Sequence, residues 1–265
     1  MTSPQPTSVL SRELLPASIA IYTTVALAAF EGLAVSAALP QVAGDLGDVH
    51  LLPWVVTGYL LMSGVATVVA GPLVDSYGVR AVFRAAIALF VGGAVLASFV
   101  PSMPLMVAAR LIHGAGGGVI IAVGIAAVGL IYPAHLMGRA FAANATVWGV
   151  MGVAGPGIAA FMLTTLSWRW IFLVNIPLGL IALAAGWRVM PGPMETPGSR
   201  TVDVPGVIGV LALNLTVYGI LVRRRRRGRH REARAGSPPP PGNLSAEAEI
   251  QEDAGDGNHE TEGRR

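Results

Sequence analysis

Residues Met103–Ile131 form one long apolar run, which reads MPLMVAARLIHGAGGGVIIAVGIAAVGLI. The run contains a single charged side chain, Arg110. It is longer than the ~20 apolar residues that cross the ~30 Å hydrocarbon core of a bilayer. Its apolar residues surround the whole helix instead of forming one stripe, as is typical of a helix embedded in lipid. We therefore predict that this run spans a membrane.

Six further runs of this kind predict an all-α integral membrane protein. Hydrophobic residues make up 53% of the 265-residue chain and charged residues only 12%, whereas soluble domains contain ~25% charged residues. A cleaved signal peptide is an alternative for the first run, but that run is too long and contains Glu31. The predicted spans are Leu15–Leu39, Leu51–Val74, Val79–Val100, Met103–Ile131, Gly138–Leu163, Trp168–Val189 and Val204–Val222.

These spans predict five regions of the chain. Residues 1–14 form a cytoplasmic N-terminal segment, 15–190 a six-helix bundle, 191–203 a cytoplasmic loop and 204–222 a seventh span. Residues 223–265 are rich in arginine and then acidic, a composition that predicts disorder. An arginine run can bind nucleic acid or anionic lipid, but we favour a solvated tail and expect no nucleic-acid partner.

The arginines between the spans predict the orientation, since short cytoplasmic loops are enriched in basic residues. Most of them fall on one side, which places the N-terminus in the cytoplasm. The basic start of the tail conflicts with this orientation, because a seventh span would carry it outward. The arginines on the inner side are Arg12, Arg80, Arg139, Arg188 and Arg200, and the exception is Arg169.

The sequence argues against an enzyme. It contains no cysteine, which excludes disulfides and zinc sites built on cysteine. We find no catalytic serine–histidine–aspartate set, metal cluster or phosphate loop. The glycines of Gly114–Gly118 follow an apolar helix and lack the lysine of a nucleotide-binding loop. We expect neither a cofactor nor a metal.

Two opposite charges lie at similar depths inside the predicted spans. At 1.5 Å per residue, Glu31 lies ~12 Å inside the outer end of the first span, and Arg110 lies ~10 Å inside the outer start of the fourth. Charge inside a membrane usually marks a pathway or a pair. We predict an ion pair, either static or with Glu31 carrying a proton. His113 lies one turn beyond Arg110 and is a candidate proton relay or a packing residue.

Two other segments suggest conformational roles. The short loop GPLVDSYGVR, Gly71–Arg80, places Asp75 and Arg80 at the cytoplasmic boundary, where they form either a gating latch or an ordinary turn. In the fifth span, glycines permit close helix contact and a proline bends the helix. These residues are Gly149, Gly152, Gly155 and Pro156.

These motifs resemble the major facilitator superfamily, and within it the drug–proton antiporters with 14 spans. Gly71, Asp75 and Gly78 match the loop motif G-x-L-x-D-R-x-G-R, although Arg80 falls one place after the second basic position. Arg110 matches the first position of R-x-x-Q-G-x-G, with His113 in place of glutamine. The step Gly155–Pro156 resembles the glycine–proline step of the antiporter motif.

Two further stretches resemble the 14-span branch. FEGLAVSAALPQVAGDL, Phe30–Leu46, is similar to the branch's first-helix motif, with Glu31 at its aspartate position and the family's proline at Pro40. WRWIFLVNIPLG, Trp168–Gly179, resembles the sixth-helix signature. The signature residues there are Trp168, Arg169, Asn175 and Pro177.

The resemblance, which covers residues 15–222, implies a function. It implies efflux of lipophilic or cationic small molecules in exchange for protons, at the plasma or inner membrane. Glu31 would carry the proton, Arg110 would stabilise its charged form, and Asp75 and Arg80 would gate. Full members have a second helical bundle, which we expect to be absent here. The alternatives are a truncated or frameshifted half-transporter without independent activity, or one that assembles with a second copy or a complementary half.

Overall fold

The computed structural model describes residues 6–192 and five isolated positions between 205 and 216. Apart from those five positions, the predicted seventh span and the tail lie outside the described residues. Residues 6–192 contain helices and no strand, so the expected all-α class is confirmed. The helices are α1 (Leu15–Leu46), α2 (Leu52–Phe99), α3 (Met103–Ile131), α4 (Ala134–Thr165), α5 (Arg169–Leu173) and α6 (Asn175–Gly186).

Five helical stretches among the described residues are long and apolar enough to cross a membrane, with α5 and α6 counted together. The 48 residues of α2 would measure about 72 Å as one straight helix, more than twice a bilayer core. Gly78 breaks α2 with φ 78° and ψ 156°. This break divides α2 into a first arm, 52–77, and a second arm, 79–99, which correspond to the second and third predicted spans.

Several helix ends differ from the predicted ones because hydropathy and helical hydrogen bonding end at different residues. Helix α1 continues through Pro40 to Leu46 instead of ending at Leu39. A proline is tolerated inside a membrane helix because neighbouring groups satisfy the backbone carbonyl that the proline leaves without a donor. Helix α4 begins at Ala134, directly after Pro133, four residues before the predicted start. The predicted sixth span is divided into α5 and α6 at Val174. Only Met103–Ile131 agrees at both ends.

Glycines bring α3 against the first arm of α2. A Cβ atom on Gly114 would meet the backbone of Tyr59, and one on Gly118 would meet the backbone of Ser63. Both pairs advance by one helical turn in the same direction, so the two helices run parallel. This is the close contact that small residues spaced by four positions allow.

Glycines also bring α3 against the second arm. The backbone of His113 lies 2.5 Å from a Cβ placed on Gly93, and a Cβ on Gly116 would meet the backbone of Phe90. These contacts run in opposite directions along the two chains, so the helices are antiparallel. Helix α3 therefore lies against both arms, and this position fixes the depth of Arg110 and His113 inside the bundle.

We expect Gly78→Ala to destabilise the protein by about 1–3 kcal/mol, because the backbone of Gly78 lies in a region that residues with a Cβ adopt only under strain. The measurement is thermal unfolding of the purified protein in detergent. Gly124→Ala is the matched control, since Gly124 is helical and a Cβ there meets no atom within 4 Å. Equal stability of the two variants would contradict the prediction.

Candidate functional site

Glu31 of α1 and Arg110 of α3 form a buried ion pair. Arg110 Nη1 donates to Glu31 Oε1, and the two side chains are 2% and 0% exposed. Asn175, the first residue of α6, donates from Nδ2 to the other carboxylate oxygen at 3.1 Å. The pair predicted from equal depths is thus present, and a third helix completes it.

The first arm of α2 and α5 hold the Arg110 guanidinium in place. Its Nε donates to the carbonyl of Val55 at 2.9 Å. Its Cζ lies 4.2 Å from the centre of the Tyr59 ring and 5.6 Å from that of Phe172. A cation over an aromatic face is stabilised electrostatically, so Arg110 keeps its orientation even though it is far from water.

His113 lies beside the pair and is fully buried. Its Nδ1 is 3.1 Å from Arg110 Nη1 and 3.7 Å from Glu31 Oε1. Because arginine only donates hydrogen bonds, Nδ1 accepts and the ring hydrogen of a neutral His113 is on Nε2. That nitrogen is buried without a partner among the described residues, and the ring packs 4.2 Å from the ring of Phe90.

The cluster of Glu31, Arg110, His113 and Asn175 therefore contains one anion, one cation and two neutral polar groups inside apolar helices. A carboxylate in such surroundings needs either a cation or a proton, and here it has a cation. Within residues 6–192, no group of three or more histidine, aspartate or glutamate side chains is placed to hold a metal ion.

Arg80 contacts a different partner from the one expected. Its Nε donates to the carbonyl of Met190 at 2.8 Å, and its Nη2 donates to that of Arg188 at 3.1 Å. Asp75 is not among the partners that the Arg80 side chain has in this conformation. Carbonyls after a helix end lack intrahelical donors, and Arg80 supplies them. A gating role for Gly71, Asp75, Gly78 and Arg80 stays a prediction.

A polar contact at the other end of the bundle was missed by the sequence analysis. Asp45, near the end of α1, accepts hydrogen bonds from Trp168 Nε1 at 2.8 Å and from Arg169 Nη1 at 3.1 Å. From the sequence, Trp168 and Arg169 were recognised as signature residues, and Arg169 also as the exception among the arginines between the spans. The contact joins α1 to the start of α5, and no spacing in the sequence indicated it.

The antiporter-like segment of α4 contains the three glycines that were expected to permit close contact, and only one of them lies against a side chain of another helix. A Cβ on Gly155 would lie 3.5 Å from the Leu33 side chain, whereas one on Gly149 or Gly152 would meet no described atom within 4 Å. Pro156 lies inside α4, which is assigned as one continuous helix to Thr165. The Gly155 contact is an ordinary van der Waals distance, so the expectation that these glycines permit close helix contact stays a prediction.

The comparison with known families decides the family. The family profile described as Major Facilitator Superfamily matches residues 21–238. The chain belongs to the major facilitator superfamily. It is accordingly a multi-pass membrane protein of a transporter family.

Curated relatives of this chain are bacterial transporters. It is 30% identical over 210 residues to the uncharacterized transporter YebQ of Escherichia coli K12, covering 78% of this chain and 44% of YebQ. It is 28% identical to the multidrug transporter protein MdtP of Bacillus subtilis 168, covering 71% of this chain and 36% of MdtP. It is 27% identical to the riboflavin transporter RibZ of Clostridioides difficile 630, covering 72% of this chain and 42% of RibZ. The chain thus spans less than half the length of these relatives.

Solved structures show the same fold at low sequence identity. A D-xylose–proton symporter matches with a TM-score of 0.61 at 17% identity, over 68% of this chain and 49% of the symporter. The xylose transporter XylE from E. coli, in a partially occluded inward-open conformation, matches with a TM-score of 0.60 at 17% identity, over 82% of this chain and 60% of XylE. The similarity identifies the helical arrangement as the major facilitator fold.

Proposed function

We propose that this chain takes part in the efflux of lipophilic or cationic small molecules in exchange for protons, as a member of the drug–proton antiporters with 14 spans. The observation that carries the proposal is the buried Glu31–Arg110 pair. A relative named as a multidrug transporter supports the substrate class. We place the chain in the plasma or inner membrane with its N-terminus in the cytoplasm.

Glu31 is the proton-carrying carboxylate in this proposal. Arg110 stabilises the charged form, and a proton that binds Glu31 leaves the guanidinium without its anion. The two protonation states of Glu31 therefore differ in electrostatic energy inside the bundle. Such a difference can bias a bundle between two conformations, because a ligand shifts an equilibrium by its differential affinity for the two states. Here the ligand is the proton.

The proposed transport requires a second bundle. In this type of transporter the substrate site lies at the interface between two bundles, which rock against each other. We propose that residues 15–190 form one of these two bundles, and that a second copy or a complementary half is one source from which the other could come. The alternative is that this chain does not transport independently.

The test is a dye-efflux assay in a host from which the major efflux pumps are deleted. We expect efflux that collapses with the proton gradient, and a loss of at least about tenfold with Glu31→Gln, equivalent to about 1.4 kcal/mol. Glu13→Gln is the matched control, because Glu13 is an exposed carboxylate outside the helices. Efflux unchanged by Glu31→Gln would contradict the role of this residue.

Two further cultures separate the alternatives. One expresses the chain alone, and the other expresses it together with the C-terminal half of a relative such as MdtP. Efflux only in the second culture would favour a complementary half. Efflux in the first, with crosslinked dimers in the membrane, would favour a second copy. No efflux in either, despite confirmed membrane insertion, would favour a chain without transport activity.

A further inference from the structure

Both oxygens of the Glu31 carboxylate face hydrogen-bond donors. Oε1 accepts from Arg110 Nη1, and Oε2 accepts from Asn175 Nδ2 at 3.1 Å. A proton bound to either oxygen makes that oxygen a donor that needs an acceptor, whereas the groups that face the two oxygens in these hydrogen bonds are N–H donors. The cluster as it stands therefore fits the charged form of Glu31, and the neutral form requires a rearrangement.

The two other polar side chains beside the pair, those of His113 and Tyr59, do not offer Glu31 an acceptor. His113 Nδ1 is 3.7 Å from Oε1, but it already accepts from Arg110. Tyr59 presents its ring face to Arg110, and its hydroxyl lies beside Gly117. Neither side chain can accept a new proton from Glu31 unless Arg110 moves, and Arg110 is held by Val55 and two aromatic rings.

Asn175 carries the acceptor that the neutral carboxyl lacks. Its Oδ1 is buried and has no partner in the described part of the chain. A buried acceptor without a donor is unfavourable, so a new O–H bond on Glu31 would satisfy this oxygen. A half-turn of the amide about its last side-chain bond exchanges Oδ1 and Nδ2, which brings Oδ1 to Oε2.

We propose that Asn175 is a positioning residue whose side-chain amide reverses when Glu31 takes up a proton. In the charged state, Nδ2 donates to Oε2. In the neutral state, the new Oε2–H bond donates to Oδ1. This inference rests on the proposed function, because it requires Glu31 to be the group that takes up the proton from solvent.

The reversal has a structural consequence at the junction of α5 and α6. In the charged state, Asn175 Nδ2 also donates to the carbonyl of Ile171 at 3.2 Å, one helical turn earlier, where α5 meets α6 at Val174. The reversed amide no longer makes this bond. Protonation of a carboxylate on α1 is thereby linked to the hydrogen bonding of the α5–α6 junction.

The test is infrared difference spectroscopy of the purified chain between alkaline and acidic pH, with ¹³C in the side-chain carbonyl of asparagine. In the unmodified protein we expect a carboxylic-acid band that Glu31→Gln removes, and a labelled amide band that shifts with the same pH midpoint. In Asn175→Leu, which is close in shape, the amide band is lost. The Glu31 band remains there and moves to the frequency of an acid without an acceptor.

Gln41→Leu is the matched control, because Gln41 Nε2 donates to the carbonyl of Leu163 and its amide makes no contact with Glu31. Its spectra should match those of the unmodified protein. If Asn175→Leu does not insert, the smaller Asn175→Ala replaces it. A Glu31 band at the same frequency with and without Asn175 would overturn this inference alone. The absence of any band removed by Glu31→Gln would overturn the proton-carrying role of Glu31 as well.

Discussion

Replacement of Gly118 by valine is expected to prevent the helical bundle from folding. A Cβ at this position would overlap the carbonyl group of Ser63 in the first arm of α2, and a backbone atom cannot move aside as a side-chain end can. The contact is also hydrogen-bonded, since Thr67 Oγ1 donates to the Gly118 carbonyl at 3.1 Å. We expect a loss of more than about 4 kcal/mol of stability, which few single substitutions cause.

The measurement is the yield of monodisperse protein after membrane extraction, followed by denaturant unfolding in detergent. Gly124→Val is the matched control on the same helix. A Cβ on Gly124 meets no atom within 4 Å, and Gly124 lines a cavity of about 170 Å³ together with Thr24 and Trp148. Similar yields of the two variants would show that α3 and the first arm do not pack as closely as described.

The buried ion pair could be predicted from the sequence because the depth of each charged residue depends only on the rise per residue of the helix. The rise of an α-helix is the same in every span, so depths counted along two apolar runs place Glu31 beside Arg110. Asn175 was recognised only as a signature residue, because its depth alone does not show that it faces α1. Which face of a span meets which neighbour depends on tertiary packing, and one sequence does not contain that information.

Contacts between side chains and distant carbonyls were not predictable either. Arg80 donates to carbonyls near residue 190, more than 100 positions along the chain. Every residue carries a carbonyl, so composition and spacing do not single out these acceptors. The nearest carboxylate in sequence, Asp75, was therefore the natural but absent partner. Asp45 was not connected with Trp168 because the two side chains lie 123 positions apart and meet only through tertiary packing.

Helix ends were predicted less well than helix existence. The apolar pattern of the first span stops near Pro40, but its backbone hydrogen bonding continues to Leu46. The boundary between α5 and α6 lies at Val174, whose backbone keeps the right-handed helical angles φ −62° and ψ −24°, so neither glycine nor proline marks it in the sequence. Hydropathy depends on what surrounds a segment, whereas the ends of a helix depend on its backbone hydrogen bonds. The predicted and observed ends are the same only for Met103–Ile131.

Replacement of Arg110 by methionine is expected to destabilise the chain by about 3–5 kcal/mol, because it leaves the Glu31 carboxylate buried without its cation. Methionine keeps much of the side-chain length and adds no polar group. Denaturant unfolding in detergent, followed by tryptophan fluorescence, measures the loss. The substitution Arg110→Met also removes the hydrogen bond from Arg110 to the Val55 carbonyl. This second effect is smaller, about 0.5–1.5 kcal/mol for a typical hydrogen bond.

The double variant with Glu31→Gln separates these two contributions. A neutral amide at residue 31 removes the uncompensated charge, so the double variant should regain most of the lost stability, as occurs when both members of a buried pair are replaced. Recovery shows that the cost of Arg110→Met lies in the unpaired carboxylate. A double variant as unstable as the single one would mean instead that Arg110 stabilises the bundle through Val55 and the aromatic rings, with Glu31 contributing little to the energy of the pair.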